Sequence, residues 1–319
     1  MTHLLTVTLN PALDASGTVD HVIPGPKLRM TETRYEPGGG GLNVARAAAK
    51  LGGEPRALAA LGGMAGARIA ELLTGSGVAL RAVEVAGETR QNLAVSDLQT
   101  GEQFRFQMPG PDWTEAMEDT MLAVIAQEAA LIGPGAVVVL SGSQPPGMRD
   151  SFAQALARQL GAQARLIIDT SGPALQRLAR APESDAIPAV LRMDQAESEG
   201  IAGHALPDVT ASLDFAAALV AAGVAGCVVV ARGAEGSVLA APGTRLHCQP
   251  PVVPVVSKIG AGDSFAAGFG LALARGEDWA MALRAGTAAA AAAVMTPGTE
   301  LCRAEDAAAL APRCTLRRA

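Results

Sequence analysis

The chain has 319 residues, 49% hydrophobic and 18% charged, with a formal net charge of -6. That length suits one large α/β domain or two medium ones, and the apolar content excludes a disordered chain. A mildly acidic balance argues against a nucleic-acid binder, so any anionic ligand must be held by a few local Arg or Lys residues. Residues 1–9 carry no basic leader and their apolar run stops at Pro11, which reads as a first strand rather than a signal peptide. A cytoplasmic location is expected.

Short apolar, β-rich runs recur at 4–9, 136–140, 165–168 and 226–231, each followed by small or polar residues and then a helix-like Ala/Leu stretch. Strands buried on both faces read as continuous apolar runs, and their alternation with helices predicts a doubly wound, mostly parallel sheet with helices on both sides. Ligands sit at the carboxyl ends of such strands, so Asn10, Asp14, Ser141 and Asp169 are expected on one edge. Two stretches break the pattern. Residues 14–36 lack helical periodicity, and 87–108 alternate, turn at Thr100-Gly101 and alternate again. Together they predict a small antiparallel lid on a single domain spanning 1–319. The lid could cover a ligand, pair with another subunit, or both.

Pro37 is followed by Gly38, Gly39, Gly40 and Gly41, and then by a helix-forming segment that includes Asn43. Glycines let backbone approach a ligand closely, although a plain connecting loop is the alternative. No G-x-G-x-x-G follows the first strand and no G-x-x-x-x-G-K-[ST] is present, which excludes a dinucleotide fold and an ordinary P-loop. The four cysteines and four histidines show neither C-x-x-C pairs nor metal-ligand spacing. The Ala-rich run at 287–294 is too short to span a bilayer and reads as a buried helix. No membrane contact is expected.

The sharpest signal is Gly260, Ala261, Gly262 and Asp263, opening into a small-residue helix. Amides at a helix N-terminus form an anion hole suited to a transferring phosphoryl group. An acid in a first turn is also a common helix cap, but a cap does not require three small residues before it.

This segment resembles the G-A-G-D signature of the ribokinase-like sugar kinases, the PfkB family, and the glycine run resembles their N-terminal signature. The similarity extends over nearly the whole chain, through residues 8–14, 141–147 and 169–172. Within the family it is most similar to the 6-phosphofructokinase members, through 27–29, 36–47, 89–93, 101–110 and 298–302. The resemblance implies a ribokinase-like fold and transfer of phosphate from ATP to fructose 6-phosphate. Asp263 is then the base, and the amides of Gly260, Ala261 and Gly262 steady the charge. Tagatose-6-phosphate or fructose-1-phosphate kinase activity, and a non-catalytic sugar-phosphate-binding regulator, are the alternatives.

Lys27, Arg29, Arg90 and Arg105 all fall in the lid, where they could grip a substrate phosphate or stay solvated. By resemblance, Asp14 and Asn43 contact sugar hydroxyls, with Gly39, Gly40 and Ser141 beside them. The nucleotide is expected at Arg192, Asp194, Ala231, Gly233, Gly236, Ser257 and Lys258. Mg²⁺ is expected at Asp194 and Glu197, a pair that could equally be a solvated helix start. A monovalent cation, with K⁺ as the candidate, is expected at Ser257, Ile259, Ala293, Thr296, Gly298 and Glu300. The chain departs from the family's N-x-x-E at Asp194, from its Lys-Pro at Arg192-Met193, from Ser or Thr at Ala231, and often from Thr at Lys258. These departures touch the nucleotide side. The bare lid edge predicts a homodimer that pairs lid to lid.

Overall fold

Every residue of the first strand is buried, as are nearly all residues of the apolar runs near positions 136, 165 and 228, so these segments must lie inside a sheet covered on both faces. A computed structural model gives that sheet for residues 4–31 and 33–318. Met1–His3, Glu32 and Ala319 lie outside the described residues, and with them the start of the N-terminal run and one of the four histidines.

The first half of the chain comprises β1 (Leu4–Thr8), β2 (Ala12–Val19), β3 (Arg34–Gly38), α1 (Gly40–Lys50), β4 (Arg56–Leu61), α2 (Gly63–Leu73), β5 (Ala79–Glu84), β6 (Arg90–Asp97), β7 (Gln103–Gln107), α3 (Glu115–Ile132) and β8 (Ala136–Ser141). The second half comprises α4 (Phe152–Leu160), β9 (Ala164–Asp169), α5 (Gly172–Arg180), β10 (Val190–Asp194), α6 (Gln195–Ala202), α7 (Val209–Ala221), β11 (Val228–Ala231), β12 (Ser237–Ala241), β13 (Thr244–Gln249), α8 (Ala261–Ala274), α9 (Trp279–Ala293), α10 (Ala304–Leu310) and β14 (Thr315–Arg318).

Ten strands form the main sheet in the order β14-β13-β12-β11-β10-β9-β8-β1-β4-β5. From β11 to β5 every pair is parallel, and β12, β13 and β14 add an antiparallel margin. The chain leaves β1 toward β4 on one side and returns as β8 on the other. That reversal opens a crevice at the carboxyl edge, where α/β sheets place ligands.

Alternation of side chains along each strand divides the core. Leu5 and Val7, with Val138, Leu140, Leu166 and Ile168, pack under α3 and α4. Leu4, Val137, Val139 and Ile167 face α1, α8 and α9 on the other side. Glycines bring α8 and α9 together: a Cβ on Gly268 would stand 2.7 Å from Ala285 O, and one on Gly286 would stand 2.9 Å from the Phe265 ring. The Ala-rich run expected as a buried helix belongs to α9, and among the described residues no helix is long and apolar enough to cross a membrane.

The lid is a separate sheet of order β3-β2-β6-β7. Its outer pairs are antiparallel, whereas β2 and β6 run parallel at its centre, because both leave the main sheet in the same direction. Pro37, which cannot donate to a ladder, is tolerated because β3 is an edge strand. The Asp97 carboxylate ties the lid's turns, accepting hydrogen bonds from the amides of Val22 (2.8 Å), Gln99 (2.9 Å) and Thr100 (3.0 Å) and lying 2.8 Å from His21 Nδ1. These bonds, led by that from Val22, hold its carboxyl well below the ordinary range.

Candidate active site

The polar residues that end the central strands converge on the N-terminus of α8. Gly260 is the N-cap, in the left-handed region at φ 74°, and no side chain caps the helix. A Cβ at that position would meet Leu301 Cδ2 at 2.6 Å, so both conformation and packing require glycine. The first intrahelical bond runs from Ser264 N–H to Gly260 O (2.9 Å), which leaves the amides before it as open donors.

Asp263 therefore does not act as the helix cap. Its Oδ2 accepts from Asn43 Nδ2 on α1 at 3.0 Å, across the cleft. The Asn43 amide is oriented in turn: its Oδ1 accepts from Arg46 Nη1 (3.2 Å), which also donates to Pro37 O (3.1 Å), while Arg46 Nη2 reaches Glu36 Oε1 (3.3 Å). Glu36 also accepts from Thr299 Oγ1, and Lys50 Nζ donates to Glu300 O, so α1 is latched to the segment following α9. Burial, reinforced by the Asp169 carboxylate, pushes the Asp263 carboxyl up to about 6, against the opposing pull of Asn43, Arg192 and Arg46.

Arg192 rises from β10 into the same space. Its Nη1 pairs with Asp169 at 3.0 and 3.3 Å, and its guanidinium lies 6.0 Å over the Phe265 ring. A Cβ on Gly262 would stand 2.9 Å from Arg192 Nη1, so the third residue of the loop is glycine partly to admit this guanidinium. Burial works against the Arg192 charge, but Asp169 more than offsets it and the pKa is raised. Asp169, Arg192 and Asp263 thus form one electrostatic unit, with Glu197 at its margin.

The glycine run has a packing role as well. Gly39 is the N-cap of α1 at φ 113°, a Cβ on Gly40 would meet Ser141 Oγ at 2.4 Å, and one on Gly41 would meet Val7 O at 2.3 Å. The start of α1 is thereby pressed onto the ends of β1 and β8. Asp14 on β2 accepts from Asn92 Nδ2 at 2.8 Å, and burial raises its pKa against the pull of Asn92 and Arg90. Arg90 donates to Asn10 O (3.1 and 3.3 Å) and, with Arg105 on β7, lies near enough to Asp14 to act on its charge. Lys27 and Arg29 stand apart on the exposed connection between β2 and β3, with no hydrogen bond or ion pair among the described residues. Of the four lid cations, the fold gathers two.

On the nucleotide side, Asp194 and Ala231 are neighbours at the ends of β10 and β11. Asp194 and Glu197 form a capping box on α6: Glu197 N–H donates to Asp194 Oδ1 and Asp194 N–H donates to Glu197 Oε2, both at 2.8 Å. Each carboxylate keeps one oxygen free of that box. Gly233 and Gly236 sit at φ 57° and 91° in the turn after β11, and a Cβ on Gly236 would collide with Cys248 O at 2.0 Å. Arg232 turns away from the cleft, bonding to Leu206 O (2.9 Å), Ser212 Oγ (2.5 Å) and Glu235 Oε2 (2.6 Å). Lys258 is exposed. The residues expected around a monovalent cation are brought together as two adjacent segments: Ser257 Oγ donates to Gly298 O (3.4 Å), Ser257 N–H to Val294 O (3.2 Å), and Thr296 Oγ1 to Ala293 O (2.8 Å). Ile259 N–H donates to Ser257 Oγ (3.2 Å).

The profile of the pfkB family carbohydrate kinase matches residues 7–307. The chain belongs to that family. It is a carbohydrate kinase, a phosphotransferase, with the ribokinase-like α/β fold. It is 36% identical over 95% of its length to ATP-dependent 6-phosphofructokinase isozyme 2 of Mycobacterium tuberculosis, covering 87% of that protein. It is 38% identical to 1-phosphofructokinase of Xanthomonas campestris over 84% of this chain and 83% of the relative. Phosphofructokinase-2 from Escherichia coli in complex with potassium superposes with a TM-score of 0.88 at 34% identity, over 98% of this chain and 99% of that one.

Sequence reasoning missed the positioning residues. Arg46, Glu36, Thr299 and Asn92 act through contacts between segments far apart in the chain, and Asp169 carries no assigned role in the sequence beyond its place at a strand end and in the family-like stretch 169–172. The sole local hint is that Asn43 and Arg46 stand three apart on one helix face.

Proposed function

We propose that this kinase transfers the γ-phosphoryl group of ATP to O1 of fructose 6-phosphate, giving fructose 1,6-bisphosphate and ADP. The carrying observation is the Asn43–Asp263 contact at the open N-terminus of α8, with Arg192 and Asp169 alongside. A carboxyl pushed to about 6 is largely ionised at neutral pH, yet basic enough to take the proton of an attacking hydroxyl. Asp263 takes the O1 proton. The open amides around Gly260, Ala261 and Gly262, with Arg192, offset charge on the transferring phosphoryl. Asp14, Asn43, Gly39, Gly40 and Ser141 hold the sugar, and Arg90 and Arg105 hold its 6-phosphate, with Lys27 and Arg29 joining them only if the exposed β2–β3 connection is brought over the phosphate.

Arg192, Asp194, Ala231, Gly233, Gly236, Ser257 and Lys258 line the path for ATP. The free oxygens of Asp194 and Glu197 are hard donors that suit Mg²⁺ held through waters, which would neutralise charge on the β- and γ-phosphates. Ser257, Ile259, Ala293, Thr296, Gly298 and Glu300 offer carbonyl and hydroxyl oxygens to K⁺. The lid leaves Tyr35 (45% exposed), Leu98 (60%), Phe106 (55%) and Met108 (49%) uncovered, which supports a cytoplasmic homodimer formed lid to lid. Light scattering tests it, and a monomer at working concentration contradicts it.

Fructose-1-phosphate kinase activity is the second reading, supported by the identity to the Xanthomonas enzyme. An ADP-release assay with Mg-ATP and fructose 6-phosphate, fructose 1-phosphate or tagatose 6-phosphate separates these readings by kcat/KM. Tight binding of a sugar phosphate without turnover of any of the three would favour a regulator instead.

A further inference from the structure

The hydrogen bonds around Asn43 form one unbroken line from the segment between α9 and α10 to Asp263. Thr299 Oγ1 donates to Glu36 Oε2, and Glu36 Oε1 accepts from Arg46 Nη2 at 3.3 Å. Arg46 Nη1 donates to Asn43 Oδ1 at 3.2 Å, and Asn43 Nδ2 donates to Asp263 Oδ2 at 3.0 Å. The Arg46 and Glu36 side chains are only 16% and 14% exposed, so water competes weakly for these bonds.

The two ends of a carboxamide are nearly the same size, so packing cannot decide which end of Asn43 faces Asp263. Polarity decides it. As built, each end of the amide meets a complementary partner. With the amide reversed, Oδ1 would face a carboxylate and Nδ2 a guanidinium, and both contacts would repel. Asp263 alone does not hold this choice, because a protonated carboxyl can donate to Oδ1. Arg46 is always charged and only donates, so it holds the amide in one sense in both protonation states of Asp263. Its Nη1 also donates to Pro37 O (3.1 Å), which fixes the plane of the guanidinium.

We propose that Arg46 is a positioning residue for phosphoryl transfer: it holds the Asn43 carboxamide with its donor toward Asp263, and the Thr299–Glu36 bond anchors Arg46 in turn. This rests on the proposed role of Asp263 as base. A donor on Oδ2 favours the ionised carboxylate and leaves Oδ1 as the oxygen that takes the proton of the attacking hydroxyl. The other charges facing Asp263 are Asp169 on β9 and Arg192 on β10, which act with opposite sign, while Arg46 acts from α1 in favour of ionisation. Glu36 also faces Arg34, which is 71% exposed and 3.8 Å away.

The test compares wild type with Arg46→Met, Arg46→Lys and Thr299→Val, each made with and without Asp263→Asn. Urea unfolding from pH 4 to 9 gives the stability gap within each pair. The pH at which that gap stops growing marks the folded-state pKa of Asp263, without any turnover. Wild type should level off near pH 6, and Arg46→Met about one pH unit higher. With the sugar phosphate that wild type turns over best, Arg46→Met should lower kcat about 10–100-fold and leave KM for ATP in place. Arg46→Lys keeps the charge, but one ammonium cannot replace a planar fork shared by Pro37, Asn43 and Glu36. Because the Asn43 bond lowers the Asp263 pKa more than the Arg46 charge does, Arg46→Lys should still level off above wild type and keep a low kcat. Thr299→Val should lower kcat about fivefold, the worth of one hydrogen bond. A wild-type levelling point in Arg46→Lys reduces Arg46 to a point charge and overturns the proposal, even if wild type turns over no sugar and the kinase reading itself fails. Wild-type kcat in Arg46→Met overturns it equally, and a lower melting temperature with kcat unchanged in Thr299→Val overturns the anchor.

Discussion

Asparagine in place of Asp263 is expected to stabilise the ligand-free protein while nearly abolishing turnover. The carboxyl is raised from an ordinary 3.8 to about 6, chiefly by burial. A raised folded-state pKa contributes stability that is complete below the unfolded value and is lost as pH climbs through the folded one. At about 1.4 kcal/mol per pH unit the wild type therefore carries a penalty of about 3 kcal/mol above pH 6, an upper limit because water in the cleft screens part of it. The amide of Asp263→Asn keeps an oxygen for Asn43 Nδ2 and has no charge to desolvate. Urea unfolding, followed by fluorescence of Trp113 and Trp279, should give matching stabilities at pH 4 and a gap of about 2–3 kcal/mol in favour of the variant at pH 8. Loss of the base should lower kcat by about 10²–10⁴-fold with sugar binding retained, and wild-type kcat/KM should fall on the acid side near pH 6. A variant less stable than wild type at pH 8 would refute burial as the cause of the shift. Near-normal turnover would refute the base.

Arg192→Lys keeps the charge but loses the planar fork, and kcat/KM for ATP should drop about tenfold or more with little change in melting temperature; an unchanged value would remove Arg192 from phosphate contact. Gly41→Ala puts a methyl against Val7 O, and Gly40→Ala puts one against Ser141 C and Gly142 N as well as the Ser141 hydroxyl, so each meets backbone and should cost about 1–3 kcal/mol in denaturant titrations, with Gly40→Ala also shifting the sugar KM. Arg90→Ala should raise KM for the sugar phosphate about tenfold while leaving KM for ATP in place, because it removes one charge-assisted contact; equal effects on both substrates would place its role elsewhere. Asp97→Ala frees the amides of Val22, Gln99 and Thr100, and subtilisin should then cut within residues 98–101 faster than in wild type.

The fold was legible where local rules and the tertiary outcome agree. Strands β1, β8, β9 and β11 announce themselves as apolar runs, and the hairpin turn at Thr100-Gly101 sits where Gly101 adopts φ 74°. β4 was hidden because Arg56–Leu61 is rich in alanine, a weak strand former that pairing to β1 overrides. β10 was hidden because Arg192 interrupts its apolar run, although that guanidinium is what pairs with Asp169 in the cleft. The parallel contact of β2 with β6 joins segments nearly eighty residues apart, and no local pattern encodes it. The site divides the same way. Asp263 and the glycines were readable because backbone chemistry restricts such positions to a few residue types. Arg46, Glu36 and Thr299 fall in family-like stretches, but their roles stay hidden until the fold links Thr299 to Glu36, Glu36 to Arg46 and Arg46 to Asn43.

The loop before Asp263 shows why one short stretch carried so much information. A small residue at each position would satisfy a phosphoryl group approaching the helix N-terminus, but the neighbours impose separate demands. Gly260 answers to its left-handed backbone and to Leu301, and Gly262 answers to the Arg192 guanidinium. Leu301 is itself held at φ 66°, in a segment tied to α1 through Lys50 and to β3 through the Thr299–Glu36 bond. The same glycines that precede Asp263 therefore lock the loop to β10 on one side and to the segment latched to α1 on the other. A side chain at either glycine would move Arg192 or Leu301 before it touched a substrate. Chemistry and packing thus select the same residues, and the loop is recognisable because two independent constraints coincide there. On the side where the nucleotide is proposed, Lys258 is exposed, and Arg232 serves α7 rather than the cleft. Under the proposed function, donor binding would rest on the positions that remain constrained, the positive-φ glycines Gly233 and Gly236 and the guanidinium of Arg192.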